Sequence, residues 1–289
     1  MSISSEITAV QNKLSKKQSV LAKFILDNFY EVALMNAPRI ALEAGVSEPT
    51  LTRFVYTLGY KNFSEFQTAL RRETQENSPQ NPFRQESYGD PHEPVYQRVF
   101  KLEYSLMAET LGMIDPNIFD RCVDTLFNSS IIFLVGGPTH VFLADYAANF
   151  LGIFCDNVHT VTKADMTFLS LLSSGVQNAA AIVFSYPRYP KETQRITKAL
   201  FDRKVKIIGM TDSKLSGITP YTDFTLITPQ KYLIITDPNA SAMAMIHSLI
   251  IGVYMKDTQR AKTRLQKYEK AVVDVDMFEF KDYNFAQKL

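Results

Sequence analysis

The chain has 289 residues, of which 46% are hydrophobic and 21% are charged, and its formal net charge at pH 7 is +1. Such a length allows one large domain or two modest ones, and the composition is ordinary for a globular protein. The balanced charge gives no support for general polyanion binding, so any affinity for DNA must come from the local placement of basic side chains.

Residues 1–76 predict an all-helical domain that carries nine basic and eight acidic side chains. Ser15 and Gln18 have the spacing of a capping box ahead of a first amphipathic helix. A helical hairpin over 36–58 follows and ends at Gly59, which suits the position just after a helix C-terminus. A last helix ends near Glu73.

The most informative segment is 37–56, APRIALEAGVSEPTLTRFVY, which has the residue pattern of a helix-turn-helix. Ala41 is small where two helices cross closely, and Gly45 suits a turn that needs positive φ. Ser47 is a good N-cap for the second helix, and Pro49 falls in its first turn, where a missing N–H costs little. An ordinary helical hairpin is the alternative interpretation, but the whole set in register favours DNA recognition.

The second helix of this hairpin would present short polar groups and one arginine to a major groove. Two residues beyond it would hold the DNA backbone. The predicted DNA-binding residues are Ser47, Glu48, Pro49, Thr50, Thr52, Arg53 and Tyr56, with Lys61 and Asn62 as the two backbone contacts.

Residues 77–94, NSPQNPFRQESYGDPHEP, predict a linker because they are rich in Pro, Asn, Gln, Ser and Gly. Helical spacing resumes at Val95, and residues 95–289 form the second predicted domain. From Ser130 onward, short apolar runs alternate with amphipathic segments, which predicts a five-stranded parallel sheet flanked by helices. The predicted strands are 131–137, 158–162, 179–185, 205–211 and 222–228, and the intervening helices are 140–154, 163–173 and 190–203. One helix of about 239–267 closes the domain, and the tail 268–289 could pack on a partner subunit.

With both halves in view, the chain resembles the RpiR (MurR/RpiR) family of bacterial transcription regulators. GVSEPTLTRFVYTLGYKNFSEF is the most characteristic stretch of the match, and the second half looks like the SIS (sugar isomerase) domain of these regulators. The resemblance runs from Leu14 to about Lys262. It implies a homodimer or homotetramer that binds double-stranded operator DNA and responds to a small-molecule effector, usually a phosphorylated sugar.

The effector side departs from the family pattern. SIS domains hold sugar phosphates with a Gly-x-Gly-x-Ser turn and a Ser-x-Ser-Gly-x-Thr turn, whose N–H groups and hydroxyls suit a phosphate. Here the first turn is VGGPT (135–139) and the second is SYPRYP (185–190). Pro187 and Pro190 remove donors from the second turn. Arg188 either replaces those donors, because a guanidinium binds phosphate or carboxylate through two hydrogen bonds, or is a surface arginine.

A third turn, Thr211-Asp212-Ser213, follows the next strand and reaches the same carboxyl edge of the sheet, where open α/β sheets bind ligands. Helix capping is the alternative role of Asp212 and Ser213, and a structural role is open for His140. The predicted effector-binding residues are Gly136, Gly137, Thr139, His140, Ser185, Arg188, Thr211, Asp212 and Ser213.

We therefore expect a ligand-responsive regulator that is not an enzyme and needs no cofactor and no metal. A phosphosugar isomerase is the alternative, with Glu192 as the candidate base, and a dinucleotide site is disfavoured because VGGPTH lacks the G-x-G-x-x-G spacing. Cys122 and Cys155 read as buried thiols. The apolar window 240–255 falls short of a membrane span, and no signal peptide is evident. We expect a cytoplasmic protein without a membrane partner.

Overall fold

A computed structural model of the chain describes residues 2–77, 92–279 and 284–287. The chain divides into two compact units, Met1–Glu86 with Lys214–Pro220, and Ser87–Ser213 with Tyr221–Leu289. Most of the predicted linker, residues 78–91, lies outside the described residues. Among the described residues, no helix combines the length and the apolar character needed to cross a membrane.

The described residues of the first unit form six α-helices. They are α1 (Ile3–Val10), α2 (Lys16–Asp27), α3 (Phe29–Leu34), α4 (Ala37–Glu43), α5 (Glu48–Thr57) and α6 (Phe63–Asn77). The predicted capping box at the start of α2 is present: the Ser15 side chain accepts from the Gln18 N–H, and the Gln18 side chain accepts from the Ser15 N–H. The last helix continues to Asn77 rather than ending near Glu73.

One apolar core holds this unit together. Leu21 and Ile25 of α2, Leu51 and Phe54 of α5, and Phe66 of α6 are among its fully buried side chains. These residues recur three or four positions apart along each helix, as an amphipathic helix requires. Their burial fixes which face of α5 is left for solvent.

The second unit is a parallel α/β sheet covered by helices. Its helices are α7 (Val95–Met113), α8 (Pro116–Asn128), α9 (Val141–Phe154), α10 (Met166–Ser173), α11 (Lys191–Phe201), α12 (Ala240–Lys256) and α13 (Thr258–Asp274). Its strands are β1 (Ile131–Gly136), β2 (Val158–Val161), β3 (Ala179–Ser185), β4 (Lys206–Thr211) and β5 (Phe224–Ile227). The strand order is β2-β1-β3-β4-β5, and every pairing is parallel. All five predicted strands are confirmed.

The central strands are buried along their whole length, because helices cover both faces of the sheet. Ile132, Leu134 and Ile182 join side chains of α9 and α12 in the main core. The two cysteines are buried as predicted. Burial raises the pKa of the Cys122 thiol to about 12 and that of Cys155 to about 11, which keeps both protonated.

Two features of this unit differ from the sequence prediction. Helix α8 was not anticipated, although Asp115 caps it and Pro116 occupies its first position. The prediction of a single helix over 239–267 is wrong, because the chain breaks at Asp257 between α12 and α13. The Asp257 carboxylate accepts a hydrogen bond from the Arg260 N–H at 2.9 Å, so this short acidic side chain caps a new helix instead of continuing the old one.

Candidate functional site

The turn of the helix-turn-helix has the geometry that its sequence predicts. Gly45 has a φ of +65°, and Ala41 is buried. Ser47 is the N-cap of α5 in extended conformation, and Pro49 lies in the first turn. The Ser47 hydroxyl contacts the Thr50 hydroxyl at 2.9 Å rather than capping a backbone N–H. Gly59, with a φ of +94°, ends the hairpin as expected.

The outer face of α5 is exposed and mostly polar. Its exposed members among the predicted DNA-binding residues are Ser47, Glu48, Pro49, Thr52, Arg53 and Tyr56. The prediction that Thr50 is exposed is wrong, because only 5% of it is accessible. Position 50 lies one helical turn before Phe54, so it shares the inner face of α5 with that residue.

Lys61 and Asn62 are both exposed at the start of α6. The Asn62 side chain accepts from the Glu65 N–H at 2.9 Å, and the Glu65 carboxylate accepts from the Lys61 N–H at 2.7 Å. Asn62 is therefore already engaged as a helix cap, whereas the Lys61 ammonium lies at the surface. A lysine at a helix N-terminus is suited to a phosphate contact.

The second candidate site is the carboxyl edge of the sheet. The three predicted turns follow β1, β3 and β4, which are neighbours in the sheet, so the fold brings their residues together. Gly136 and Ser185 are the last residues of β1 and β3. Gly136 pairs with Phe184, the residue before Ser185, and Ser185 pairs with Thr211, the last residue of β4. The Thr211 hydroxyl donates to the Ser185 carbonyl at 2.6 Å.

The first two turns are in direct contact. A Cβ on Gly137 would lie 2.7 Å from Cγ of Pro190 and 3.0 Å from Oγ1 of Thr193. A Cβ on Gly136 would lie 2.8 Å from the His140 carbonyl oxygen. The turn after β1 therefore requires glycine at both positions, because a Cβ at Gly137 would press on the start of α11 and a Cβ at Gly136 would press on the start of α9.

The second turn is strained. Arg188 has a φ of +72° and Tyr189 a φ of +34°, and neither residue is a glycine. Left-handed backbone costs roughly 1–2 kcal/mol for each such residue, and strain of this kind concentrates at functional sites. Arg188 is exposed, while Tyr189 is partly buried and its hydroxyl lies 3.0 Å from each oxygen of Asp212.

Asp212 is the most perturbed carboxyl of this edge. Burial raises its pKa from 3.8 to about 6, and hydrogen bonds from Tyr189 and Thr211 only partly oppose that rise. Ser213 follows it and is partly buried. A carboxyl group whose pKa is strongly raised by burial is typical of a functional site.

His140 is a second titratable group with a shifted pKa at this edge. It is 1% exposed, and burial lowers its pKa, while Asp237 partly opposes the shift. Nδ1 lies 2.9 Å from Oγ1 of Thr139, and Nε2 lies 3.5 Å from Oδ2 of Asp237. Its ring lies 4.8 Å, centroid to centroid, from that of Tyr186. Within the described residues, the His140 Nε2 atom has no hydrogen-bond partner.

The segment between β5 and α12 adds residues that the sequence prediction did not name. Tyr232 donates to Asp237 at 2.7 Å, and Gln230 donates from Nε2 to the Pro238 carbonyl at 2.9 Å. The Gln230 Oε1 atom is buried and has no hydrogen-bond partner in the described part of the chain. Ligands bind at the carboxyl ends of parallel strands, and this rule selected the turns after β1, β3 and β4. The same rule applies to β5, so the polar residues that follow β5 could have been predicted from the sequence.

Known proteins match both halves of the chain. Residues 1–77 match the helix-turn-helix domain of the rpiR family, and residues 125–252 match the SIS domain. The chain therefore combines an rpiR-family helix-turn-helix domain with a SIS domain, the architecture of RpiR-type transcriptional regulators. The recognition of this family from the sequence is confirmed, as is the predicted fold of a helical domain followed by an α/β SIS domain.

An HTH-type transcriptional regulator of Haemophilus influenzae is 28% identical over 232 residues, which are 78% of this chain and 79% of that protein. The HTH-type transcriptional regulator HexR of Pseudomonas aeruginosa is 22% identical over 210 residues, which are 71% of this chain and 72% of that protein. The structure of the Vibrio vulnificus NanR protein complexed with ManNAc-6P matches with a TM-score of 0.60 at 18% identity. It covers 94% of this chain and 98% of that chain, and at this identity it shows a shared fold.

Proposed function

We propose that this regulator reads an operator through the exposed face of α5 and that a small anionic metabolite, bound at the carboxyl edge of the sheet, changes its affinity for DNA. The observation that carries the proposal is the polar outer face of α5, with Arg53 exposed beside Thr52 and Tyr56. An arginine on a recognition helix can bind guanine through two hydrogen bonds or contact a phosphate.

The DNA-binding half is tested by the Arg53→Ala variant. Binding is measured by fluorescence anisotropy against fragments that the wild-type protein selects from a random DNA pool. We expect a loss of roughly 10- to 100-fold in affinity, corresponding to about 1–3 kcal/mol for one base contact. Arg195→Ala, which removes an exposed arginine from α11, is the control and should bind as wild type. Equal affinities of the two variants would refute a role for Arg53.

The effector half rests on the second turn. Pro187 and Pro190 lack N–H donors, so the exposed guanidinium of Arg188 is the charge that we propose pairs with the anion. The related NanR structure contains ManNAc-6P, and a sugar phosphate or a sugar acid is the ligand class that we propose here. Gly136, Gly137, Thr139, Ser185, Thr211 and Ser213 would line the site, with His140 and Asp212 accepting or donating to hydroxyl groups.

A thermal-shift screen against phosphosugars, sugar acids and small carboxylates tests this half. A saturable ligand should raise the midpoint of thermal unfolding of the wild type, because only the folded protein binds it. Arg188→Ala should weaken that ligand at least tenfold, whereas Arg203→Ala, another exposed arginine, should leave it unchanged. An Arg188→Ala variant with full affinity would overturn the proposed anion contact.

The segment after β5 offers a route from the ligand to helix α7. It contacts the effector edge through Asp237 and His140, and Lys231 forms an ion pair with Glu109 of α7 at 3.3 Å. Glu103 of α7 accepts hydrogen bonds from the first N–H groups of α12, 3.2 Å from both Asn239 N and Ala240 N. We propose that a ligand that repositions this segment shifts α7, the first helix after the linker.

We further propose that the protein acts in the cytoplasm as a homodimer or homotetramer, since helix-turn-helix proteins read two half-sites through paired domains.

An isomerase is the second candidate function because the SIS fold also suits sugar-phosphate chemistry. Against it, Glu192 accepts a hydrogen bond from the Ala164 N–H at 2.9 Å, and this bond lowers its pKa. A general base at neutral pH needs a pKa that is raised, not lowered. Conversion of a stabilising phosphosugar by the protein would favour the isomerase.

A further inference from the structure

A groove runs along the border between the buried and the exposed side of helix α7. This helix buries Leu102 and Leu106, whereas Phe100 and Tyr104 are 76% and 77% exposed. The groove lies between α7 and α12 and has a volume of about 340 Å³. Small-molecule sites measure roughly 300–1,000 Å³ and often lie between packed helices, so this volume is sufficient for a small ligand. The described residues that line it include none of the predicted effector-binding residues.

Small side chains on α12 create the groove. Ser241, Ala244 and Ser248 recur three or four residues apart, so they share one face of this helix. Met107 and Leu111 of α7 form part of the opposite wall and leave the space between the helices open. The groove therefore follows from the sequence of α12, which has no large side chain at these three positions.

The groove favours an uncharged ligand. Among the described residues, none that lines the groove has a charged side chain. A charged molecule would lose its hydration there without gaining an ionic partner, which is strongly unfavourable. The groove thus differs in chemistry from the carboxyl edge of the sheet, which contains Arg188, Asp212 and His140.

Two hydroxyl groups in the groove lack a partner. Thr110 is 5% exposed and Ser241 is 2% exposed, and neither Oγ1 of Thr110 nor Oγ of Ser241 has a hydrogen-bond partner within the described ranges. By contrast, the Ser248 hydroxyl donates to the Ala244 carbonyl of its own helix at 2.9 Å, as serine in a helix commonly does. A buried hydroxyl without a partner is unfavourable, so a ligand that supplies a hydrogen-bonding atom here gains affinity.

The apolar wall suits an aromatic ring. Met107 and Met245 lie in this wall, and methionine sulfur atoms make favourable contacts with aromatic rings. Tyr104 lines the same groove, and aromatic rings pack against one another in offset or edge-to-face arrangements. A flat ring that carries one N–H or O–H group would therefore satisfy both the wall and the unpartnered hydroxyls.

We propose that the groove between α7 and α12 is a second ligand site, which binds a small uncharged aromatic molecule with one hydrogen-bonding group, of the indole or phenol class. The ring packs between the two methionines, and its N–H or O–H group donates to the hydroxyl of Thr110 or Ser241. This site goes beyond the proposed function, because it takes a ligand of different chemistry from the anion at the carboxyl edge. Its test is independent of Arg188 and of DNA.

Indole is the probe, and the full-length protein is titrated with it. Indole fluorescence can be followed directly because the chain contains no tryptophan. Transfer of indole from water into the groove should shift its emission to shorter wavelength, with saturation at a dissociation constant on the order of 0.1 mM, as expected for a ligand of this size. Ala244→Leu, which fills the groove with a good helix former, should weaken indole at least tenfold.

The polar part of the site is tested with indene, which has the shape of indole but no N–H group and is measured by displacement of indole. The double variant Thr110→Val/Ser241→Ala removes both unpartnered hydroxyls. The ratio of the indene to the indole dissociation constant should fall roughly three- to tenfold in this variant, the effect of one hydrogen bond. Ser248→Ala is the matched control, because its hydroxyl is already bonded within α12, and it should keep the wild-type ratio.

Three results would overturn the inference. Indole that causes no saturable shift up to its solubility limit would show that the groove binds no such ligand. Wild-type affinity in Ala244→Leu would place indole elsewhere on the protein. An indene-to-indole ratio that is the same in the double variant and in Ser248→Ala would remove the role of the two hydroxyls. If Ala244→Leu fails to fold, the double variant, which only exchanges or removes single atoms, still decides.

Discussion

The carboxylate of Asp212 should lower the stability of the protein at neutral pH. Burial raises its pKa from 3.8 to about 6, so the folded state disfavours the ionised form that dominates above pH 6. Each tenfold change in an equilibrium corresponds to 1.36 kcal/mol, which makes the full penalty about 3 kcal/mol. Between the two pKa values the folded state binds more protons than the unfolded state, so stability falls as pH rises through this window and stays low above it.

Asp212→Asn removes the charge and keeps an oxygen that can accept from the Tyr189 hydroxyl. We expect the variant to be more stable than wild type by up to about 3 kcal/mol at pH 8 and by about half as much at pH 5. For a domain of this size the gain at pH 8 corresponds to roughly 6–12 °C in the unfolding midpoint. Far-ultraviolet circular dichroism is the suitable signal because the chain contains no tryptophan.

Asp202→Asn is the matched control, since Asp202 is exposed and only pairs with Lys198 at the end of α11. Its effect should stay within about 1 kcal/mol at both pH values, because surface ion pairs contribute little. The reasoning is refuted if Asp212→Asn destabilises the protein, or changes its stability by the same amount at pH 5 and pH 8. A confirmed gain would mean that the chain retains a destabilising carboxylate at the carboxyl edge of its sheet, which is expected if this group serves the proposed ligand binding.

Three further predictions concern particular contacts. Gly45→Ala should destabilise the helical unit by roughly 1–2 kcal/mol in urea unfolding, because φ is +65° even though no atom lies within 4 Å of the new methyl group; Gly112→Ala, in α7 with equal space, should instead stabilise by up to about 1 kcal/mol. Asp237→Asn should lower the pKa of His140 further, as followed by proton NMR of the imidazole, because the carboxylate that favours the imidazolium is lost; an unchanged or higher pKa would contradict an electrostatic effect of Asp237 on His140. Glu103→Ala should reduce stability by about 1 kcal/mol because the first N–H groups of α12 lose their acceptor, and an unchanged urea midpoint would show that water replaces it.

The α/β sheet was predictable because its signal is local. Runs such as 179–185 are apolar along their whole length, and only a strand covered on both faces accommodates such a run. The helix-turn-helix was equally predictable, since Gly45 and Pro49 each meet a backbone requirement at their own position and Ser47 occupies the predicted N-cap position, although its hydroxyl contacts Thr50 instead of a backbone N–H. The prediction failed where a residue type allows two structures. Asp257 is tolerated inside a helix, but here it ends α12 and caps α13.

The candidate sites likewise combine features that the sequence predicts with features that depend on tertiary packing. The residue types at the ends of β1, β3 and β4 were readable, because the carboxyl ends of parallel strands share one edge of the sheet. The contact of Tyr189 with Asp212 and that of Asp237 with His140 join segments that are far apart in sequence, so no local pattern encodes them. The burial of Thr50 depends on which face of α5 the helical core covers.

The sequence by itself determined the two domain types, the strand positions and the turn of the DNA-reading hairpin, because each follows from the period of apolar residues and from the φ that a residue permits. Only the tertiary structure decided how the carboxyl edge is charged and which face of α7 remains uncovered. Desolvation of Asp212 and exposure of Phe100 are properties of what packs around a side chain, and packing brings together residues from distant parts of the chain.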